Sequence, residues 1–232
     1  MTSTTGKRKA AEATLAEVKD GQVLGLGTGS TVAIFIELLG DKIKKEGWKV
    51  LGVPTSYQSA YLATENGIQL TTLDEHPVLD LAVDGADELD RRLNLIKGGG
   101  AALTREKIVD STAKRFVVIA EGSKLVEKLG AKTPVPIEVL PMARRTAAKR
   151  IRLLGGNPKV RDAGDRKDGP LITDNGNFII DADFGAIDDP QALEFVLKRI
   201  PGVVEAGLFV NLAHTAYLGS EKGVEKIDRL PR

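Results

Sequence analysis

The 232-residue chain contains no cysteine and only two histidines, His76 and His214. Without thiols it cannot form disulfides or thiolate metal sites and cannot use thiol catalysis, and this composition is compatible with a reducing compartment. Two imidazoles argue against a multi-histidine zinc site. Aromatic residues are only 4% of the chain, which argues against a surface on which nucleic-acid bases stack.

The chain also lacks a strong net charge and a long apolar run. Its formal charge is +1, so no global field attracts nucleic acid or a membrane surface. No apolar segment reaches the length of a membrane span, and the first residues contain no apolar leader core. We therefore expect a soluble cytoplasmic protein that binds neither nucleic acid nor membrane.

Short apolar strands alternate with helical segments in the first 120 residues. The pattern predicts helices at residues 7–19, 31–39 (ending near Gly40), 60–66 and 101–111. It predicts strands at residues 23–26, 50–53, 68–70, 79–83 and 116–120. Such alternation is typical of an α/β protein with a doubly wound parallel sheet.

The pattern changes after residue 130. We predict strands at residues 135–139, 159–161, 171–173, 178–181 and 203–210, helices at 142–154 and 190–199, and a hairpin turn at 174–177. A β-α-β-β-α-β order indicates a small ferredoxin-like α+β unit. Residues 215–218 and 224–227 are expected to return to the first sheet. The predicted domains are therefore 1–130 with 211–232, and 131–210.

A glycine-rich loop, residues 25–31, connects the first predicted strand to a helix. Exposed N–H groups at the helix start, together with Thr28, Ser30 and Thr31, favour phosphate binding. The alternative is a tight strand-to-helix turn without a ligand. The loop is not a Walker A motif, because no Gly-Lys-Ser/Thr follows it. It is also a poor dinucleotide motif, since Ser30 occupies the position of the third glycine.

A carboxylate cluster, residues 84–88, follows the apolar strand at 79–83. Ligands of open α/β sheets bind beyond the carboxyl ends of the strands, so Asp84 and Asp87 are expected to face the same crevice as the glycine-rich loop. A magnesium site and a solvated acidic turn are the alternatives.

A second glycine run begins with Lys97 and continues through Gly98, Gly99 and Gly100. It is either an anion-binding loop or a flexible connection. Glu106 lies on the helix that follows, where an isolated glutamate is usually solvated. Lys124 follows the fifth predicted strand and is either a phosphate ligand or a surface lysine.

Taken together, these motifs resemble those of the ribose-5-phosphate isomerase A family. The resemblance runs in order through nearly the whole chain, at residues 25–31, 83–88, 96–107, 134–139 and 173–177. It implies a Rossmann-like domain that carries the site and a smaller α+β domain involved in oligomer contacts, in a homodimer or homotetramer. It also implies interconversion of ribose 5-phosphate and ribulose 5-phosphate, in the non-oxidative branch of the pentose phosphate pathway, without a metal or other cofactor.

The resemblance also implies roles for individual residues. Glu106 is expected to be the base that moves a proton between C1 and C2 through a cis-enediolate, with Asp84, Asp87 and Lys97 at the reacting centre. The substrate contacts are expected to come from the two glycine loops, the residues after Asp84 and one lysine: Thr28, Gly29, Ser30, Thr31, Gly85, Ala86, Gly98, Gly99, Gly100 and Lys124. The role of Lys7 and the division of labour between Asp84 and Asp87 are left open.

Two other functions are compatible with parts of the pattern. A sugar-phosphate sensor of a transcription regulator would need a helix-turn-helix, and only about twenty residues precede the first strand, which is short for that motif. A magnesium-dependent phosphotransferase would use Asp84, Asp87 and Glu88 as metal ligands. Activity in the presence of a chelator separates this second alternative from an isomerase.

Overall fold

The computed structural model describes residues 4–229, apart from the side chain of Arg166. Its helices are α1 (Thr4–Leu15), α2 (Ser30–Glu46), α3 (Tyr57–Glu65), α4 (Leu103–Thr112), α5 (Arg144–Leu153) and α6 (Pro190–Lys198). Its strands are β1 (Val23–Leu26), β2 (Leu51–Pro54), β3 (Gln69–Leu70), β4 (Leu81–Asp84), β5 (Glu88–Leu89), β6 (Leu95–Ile96), β7 (Phe116–Glu121), β8 (Val135–Val139), β9 (Asn157–Val160), β10 (Phe178–Asp183), β11 (Val203–Ala206), β12 (Leu208–Phe209), β13 (Thr215–Ser220) and β14 (Gly223–Asp228).

The chain folds into two compact units. The larger unit comprises Met1–Ala86, Arg105–Leu125 and Asn211–Arg232, and the smaller unit comprises Asp87–Thr104 and Val126–Val210. This division assigns residues 87–104 to the smaller unit, whereas the sequence analysis drew its boundary at residue 130. Residues 1–3 and 230–232 of the predicted larger domain lie outside the described part of the chain.

The larger unit contains a seven-stranded sheet in the order β14-β13-β7-β4-β1-β2-β3. Every pair is parallel except β13 with β14. The central strands β4 and β7 are buried along their whole length, as parallel strands covered on both faces are. This confirms the predicted doubly wound sheet, including the return of the last segment to it.

The strand order reverses between β1 and β4. The chain runs from β1 outward through β2 to β3 and then returns to the other side of β1 with β4. Ligands of open α/β sheets bind at such a switch point, outside the carboxyl ends of the strands. The loop after β1 and the acidic segment after β4 both begin at this point.

Helix α2 is longer than the sequence predicted. It does not end near Gly40 but continues to Glu46, and Gly47 caps it in a left-handed conformation with φ 71°. Gly40 lies inside the helix, at a position where a Cβ would come within 2.5 Å of the carbonyl oxygen of Asn66. This glycine therefore permits a close approach and does not stop the helix.

The smaller unit contains a four-stranded antiparallel sheet in the order β11-β8-β10-β9. Helices α5 and α6 connect its strands in the predicted β-α-β-β-α-β order. The predicted strand at 171–173 forms only an isolated bridge between Ile172 and Phe178. It cannot extend, because Thr173 already closes the following turn: its N–H donates to the carbonyl of Asn177 at 2.9 Å.

A small sheet in the order β12-β6-β5 also belongs to the smaller unit. The sequence analysis missed β5 and β6, because strands of two residues have no periodicity to detect. It also predicted one strand at 203–210, which the structure divides at Gly207 into β11 and β12. β6 pairs with both β5 and β12, and this is the reason that residues 87–96 pack with the smaller unit.

Candidate active site

The loop after β1 leads directly into the start of α2. Gly29 is the residue before the helix and Ser30 is its first residue, so the N–H groups of the first helical turn, which have no acceptor within the helix, lie together with the Ser30 hydroxyl. Ser30 is exposed and Thr31 is half-buried. Because a helix N-terminus attracts anions, this loop is suited to hold a phosphate.

Asp84 is packed against this loop. The Asp84 side chain is fully buried, and its Oδ1 accepts hydrogen bonds from the N–H of Thr28 at 3.1 Å and of Gly85 at 2.6 Å. A Cβ at Gly27 would lie 2.2 Å from the Asp84 carboxyl carbon, so only glycine permits this packing. The end of β4 and the glycine-rich loop are thus held in one fixed arrangement, with Gly85 and Ala86 half-buried beside them.

Residues after β2 brace the same loop. The Thr28 hydroxyl lies 2.8 Å from that of Thr55 and donates to the Ser56 hydroxyl at 2.7 Å, while the Gly29 N–H donates to Gln58 Oε1 at 3.1 Å. Thr55 and Ser56 are buried. The sequence analysis missed these three residues, although their position directly after a strand of the predicted sheet was the available signal.

Two lysines of the larger unit are candidates for a phosphate contact. Lys7, on α1, places its Nζ 2.9 Å from the Ser30 hydroxyl and 3.9 Å from the Glu121 carboxylate. Its side chain is only 18% exposed. Lys124 is half-buried in the 3-10 turn that follows β7. The structure therefore brings Lys7 to the loop, a contact that the sequence analysis left open.

Glu106 lies in the first turn of α4 and is only 4% exposed. It shares the buried face of that helix with Val109 and Asp110, which are three and four residues further on. Val109 packs into the space left by Gly25, where a Cβ would lie 2.7 Å from its Cγ1. This packing turns Glu106 into the protein, so it is not the solvated helix residue that its sequence position alone would suggest.

The remaining candidates belong to the smaller unit. The Lys97 side chain is 2% exposed, and its Nζ lies 5.5 Å from the centre of the Phe209 ring. The N–H of Gly99 donates to Asp87 Oδ2 at 2.7 Å, and a Cβ at Gly99 would lie 2.7 Å from Asp87 Oδ1. Gly98 closes a turn by accepting from the N–H of Ala101 at 2.9 Å. The glycine run is therefore an ordered loop around Asp87.

Glu138, on β8, organises a second part of the smaller unit. It is fully buried and accepts hydrogen bonds from four side chains: Thr104, Thr173, Asn175 and Asn177. Thr104 lies in the first turn of α4, and the other three belong to the hairpin turn after residue 172. The sequence analysis singled out both segments as motifs but did not anticipate that Glu138 joins them.

The predicted site residues are distributed over both units. Those in the larger unit are Thr28, Gly29, Ser30, Thr31, Asp84, Gly85, Ala86, Glu106 and Lys124. Those in the smaller unit are Asp87, Lys97, Gly98, Gly99 and Gly100.

Among residues 4–229, the His, Asp and Glu side chains form no group of three or more that is able to hold a metal ion. No helix in the same range is long and apolar enough to cross a membrane. The roles of the individual residues remain predictions.

Known proteins share both the sequence and the fold of this chain. Residues 51–223 match the model of the family described as ribose 5-phosphate isomerase A (phosphoriboisomerase A). Ribose-5-phosphate isomerase A of Methanothermobacter thermautotrophicus is 54% identical over 219 residues, covering 94% of this chain and 96% of that protein. The protein of that name from Pyrococcus abyssi is 53% identical over 224 residues, covering 96% and 97%.

Solved structures of the same family share the fold of this chain. Ribose 5-phosphate isomerase A of Methanocaldococcus jannaschii superimposes with a TM-score of 0.92 at 49% identity, covering 96% of this chain and 97% of that one. A D-ribose-5-phosphate isomerase in complex with phospho-erythronic acid superimposes with a TM-score of 0.96 at 48% identity, covering 99% and 100%. The chain belongs to the ribose 5-phosphate isomerase A family.

Proposed function

We propose that this protein interconverts D-ribose 5-phosphate and D-ribulose 5-phosphate, with Glu106 as the general base. Family membership over nearly the whole chain supports the reaction. The observation that carries the residue assignment is the burial of Glu106, which is 4% exposed on the inner face of α4. A carboxylate shielded from bulk water is suited to accept a proton and return it to the same substrate.

The reaction moves one hydrogen between two carbons. Glu106 removes the proton from C2 of the open-chain aldose, and the electron pair forms a C1–C2 double bond while negative charge develops on O1. A proton then passes from O2 to O1, and Glu106 returns its proton to C1, which leaves the ketone at C2. This is the carboxylate pattern known for aldose–ketose isomerisation.

The other groups take roles that match their charge. The Lys97 ammonium and the N–H groups of the glycine run stabilise the negative charge of the enediolate. Asp87, which accepts from the Gly99 N–H, relays the proton between O1 and O2. Asp84 assists opening of the furanose ring, and its two backbone hydrogen bonds fix its position for that step.

The phosphate is held by the start of α2. Ser30 and Thr31 supply hydroxyls and N–H groups, and Lys124 supplies positive charge. Thr28 shapes the loop, because its N–H donates to Asp84 and its hydroxyl donates to Ser56. Lys7 joins this set, because its ammonium already contacts the Ser30 hydroxyl. These contacts lie away from the reacting carbons, so their binding energy positions the substrate. A homodimer or homotetramer and a cytoplasmic location remain predictions.

The test combines a chelator with a conservative variant. Purified protein in excess chelator should convert ribose 5-phosphate to the ketose. A magnesium-dependent phosphotransferase would lose its activity under these conditions, and a sensor would bind the substrate without turnover.

Glu106→Gln should lower kcat by about 10²–10⁴-fold, the usual contribution of a positioned base. Exchange of the C2 hydrogen with solvent deuterium should fall in parallel.

Glu65→Gln is the matched control, since Glu65 is an exposed helix residue of the same unit. It should leave kcat unchanged. If Glu106→Gln retains kcat within about threefold, well below the contribution of a general base, the base is another carboxylate, with Asp84 and Asp87 as the candidates.

A further inference from the structure

Arg161 connects the sheet of the smaller unit to the glycine run. Its Nε and Nη2 donate to the two carboxylate oxygens of Asp181 at 2.8 and 2.5 Å. Its Nη1 donates to the carbonyl of Gly98 at 2.8 Å and to that of Gly99 at 3.0 Å. One guanidinium thus makes four hydrogen bonds, two to a carboxylate and two to consecutive carbonyls of the loop.

The ion pair between Arg161 and Asp181 is largely enclosed and is tied to the sheet. The side chains of Arg161 and Asp181 are only 16% and 24% exposed. Asp181 lies in β10, and the Arg161 backbone N–H donates to the carbonyl of Ile179 in the same strand at 2.8 Å. A bidentate arginine–carboxylate pair fixes the plane of the guanidinium. The direction in which Nη1 points is therefore set by the sheet.

This geometry determines where the loop N–H groups point. The N–H and C=O of a trans peptide point in opposite directions. Holding the carbonyls of Gly98 and Gly99 on Arg161 therefore turns the N–H groups of Gly99 and Gly100 away from it. The Gly99 N–H donates to Asp87. The Gly100 N–H belongs to the same turn, in which both glycines are exposed.

We propose that Arg161, oriented by Asp181, is a positioning residue for the isomerase reaction. It holds the loop after Lys97 so that the Gly99 N–H orients Asp87 and the Gly100 N–H is directed at the enediolate. Arg161 itself does not touch the substrate. This inference rests on the proposed function and adds a residue outside the set that contacts the sugar phosphate.

The fork shape of arginine is essential to this role. Lysine keeps the charge but has a single nitrogen, which cannot reach two carboxylate oxygens and two carbonyls together. Arg161→Lys should therefore lower kcat by about 10–100-fold, the scale of a misplaced or weakened oxyanion donor. KM for ribose 5-phosphate should change little, since the phosphate contacts are intact. Asp181→Asn should act in the same direction with a smaller effect.

Two binding measurements separate positioning from a general loss of structure. Phospho-erythronic acid carries a carboxylate that resembles the charged enediolate, whereas inorganic phosphate tests only the phosphate site. Calorimetry of Arg161→Lys should show weaker binding of phospho-erythronic acid and unchanged binding of phosphate. An equal loss for both ligands would indicate a purely structural role and would overturn the proposal.

The control is Lys128→Met, which breaks the exposed 2.6 Å pair between Lys128 and Asp188 in the same unit. It should leave kcat and both affinities unchanged. If the wild type isomerises ribose 5-phosphate but Arg161→Lys keeps kcat within about threefold, less than the loss of one donor, the positioning role is wrong and the proposed function stands. A wild type without isomerase activity would refute both.

Discussion

Replacing Glu138 with glutamine tests how a buried carboxylate stabilises the smaller unit. Glu138 is 0% exposed. Its Oε1 accepts from Thr173 at 2.8 Å, from Asn175 at 3.1 Å and from Asn177 at 2.8 Å, while its Oε2 accepts from the Thr104 hydroxyl. The variant Glu138→Gln keeps the size of the side chain and removes its charge, so it isolates the charge-assisted part of these hydrogen bonds.

The expected loss follows from the number of bonds. A hydrogen bond to a charged group contributes about 1.5–3 kcal/mol and a neutral one about 0.5–1.5 kcal/mol, so each of the three bonds at Oε1 weakens by about 1 kcal/mol. The fourth bond survives, because the Thr104 hydroxyl can rotate to accept from the new amide. Glu138→Gln should therefore destabilise the protein by about 3 kcal/mol, which corresponds to a fall in Tm of roughly 6–12 °C for a chain of this length.

The assay is thermal and urea unfolding followed by circular dichroism. Glu127→Gln is the matched control: Glu127 is an exposed glutamate of the same unit and should change stability by less than about 0.5 kcal/mol. Glu138→Leu should cost more than Glu138→Gln, since it leaves buried donors without any acceptor. A Glu138→Gln protein within about 1 kcal/mol of the wild type, the size of one ordinary hydrogen bond, would refute the reasoning.

Two further predictions concern the larger unit. Lys124→Ala should raise KM for ribose 5-phosphate by about tenfold with little change in kcat, as expected for uniform binding; steady-state kinetics would contradict the phosphate role if the loss appeared only in kcat. Partial desolvation of the His214 imidazole, on a residue that keeps an exposed side, followed by the charges of Arg115 and Arg229, holds the pKa of His214 below its ordinary value of 6.5. The unfolded chain then binds more protons than the folded one, so stability should fall as pH drops through 6.5 and below. His214→Asn keeps an acceptor for the Phe116 N–H, which His214 Nδ1 accepts at 3.0 Å, and its Tm should fall less between pH 7 and 5; an equal fall would exclude this histidine as the cause.

Local patterns determined most of the secondary structure and the position of the motifs. The alternation of short apolar strands with helices was sufficient for the doubly wound sheet, because fully buried parallel strands leave continuous apolar runs such as the one at β7. The β-α-β-β-α-β order was sufficient for the smaller unit. The glycine-rich loop, the acidic segment after β4 and the glycine run after Lys97 were all visible as unusual local composition.

Long-range contacts determined the features that local sequence patterns did not predict. No local pattern shows that Gly40 lies inside a helix against Asn66, or that the two-residue strand β6 pairs with both β5 and β12. Burial of Glu106 depends on how one face of α4 packs, since a helical glutamate looks the same in sequence whether it is solvated or enclosed. The contacts of Arg161 with the glycine run and of Glu138 with the hairpin turn join residues more than 30 positions apart. Side chains so far apart in the chain meet only when the sheet brings their strands together, and their partners are therefore a property of the tertiary structure.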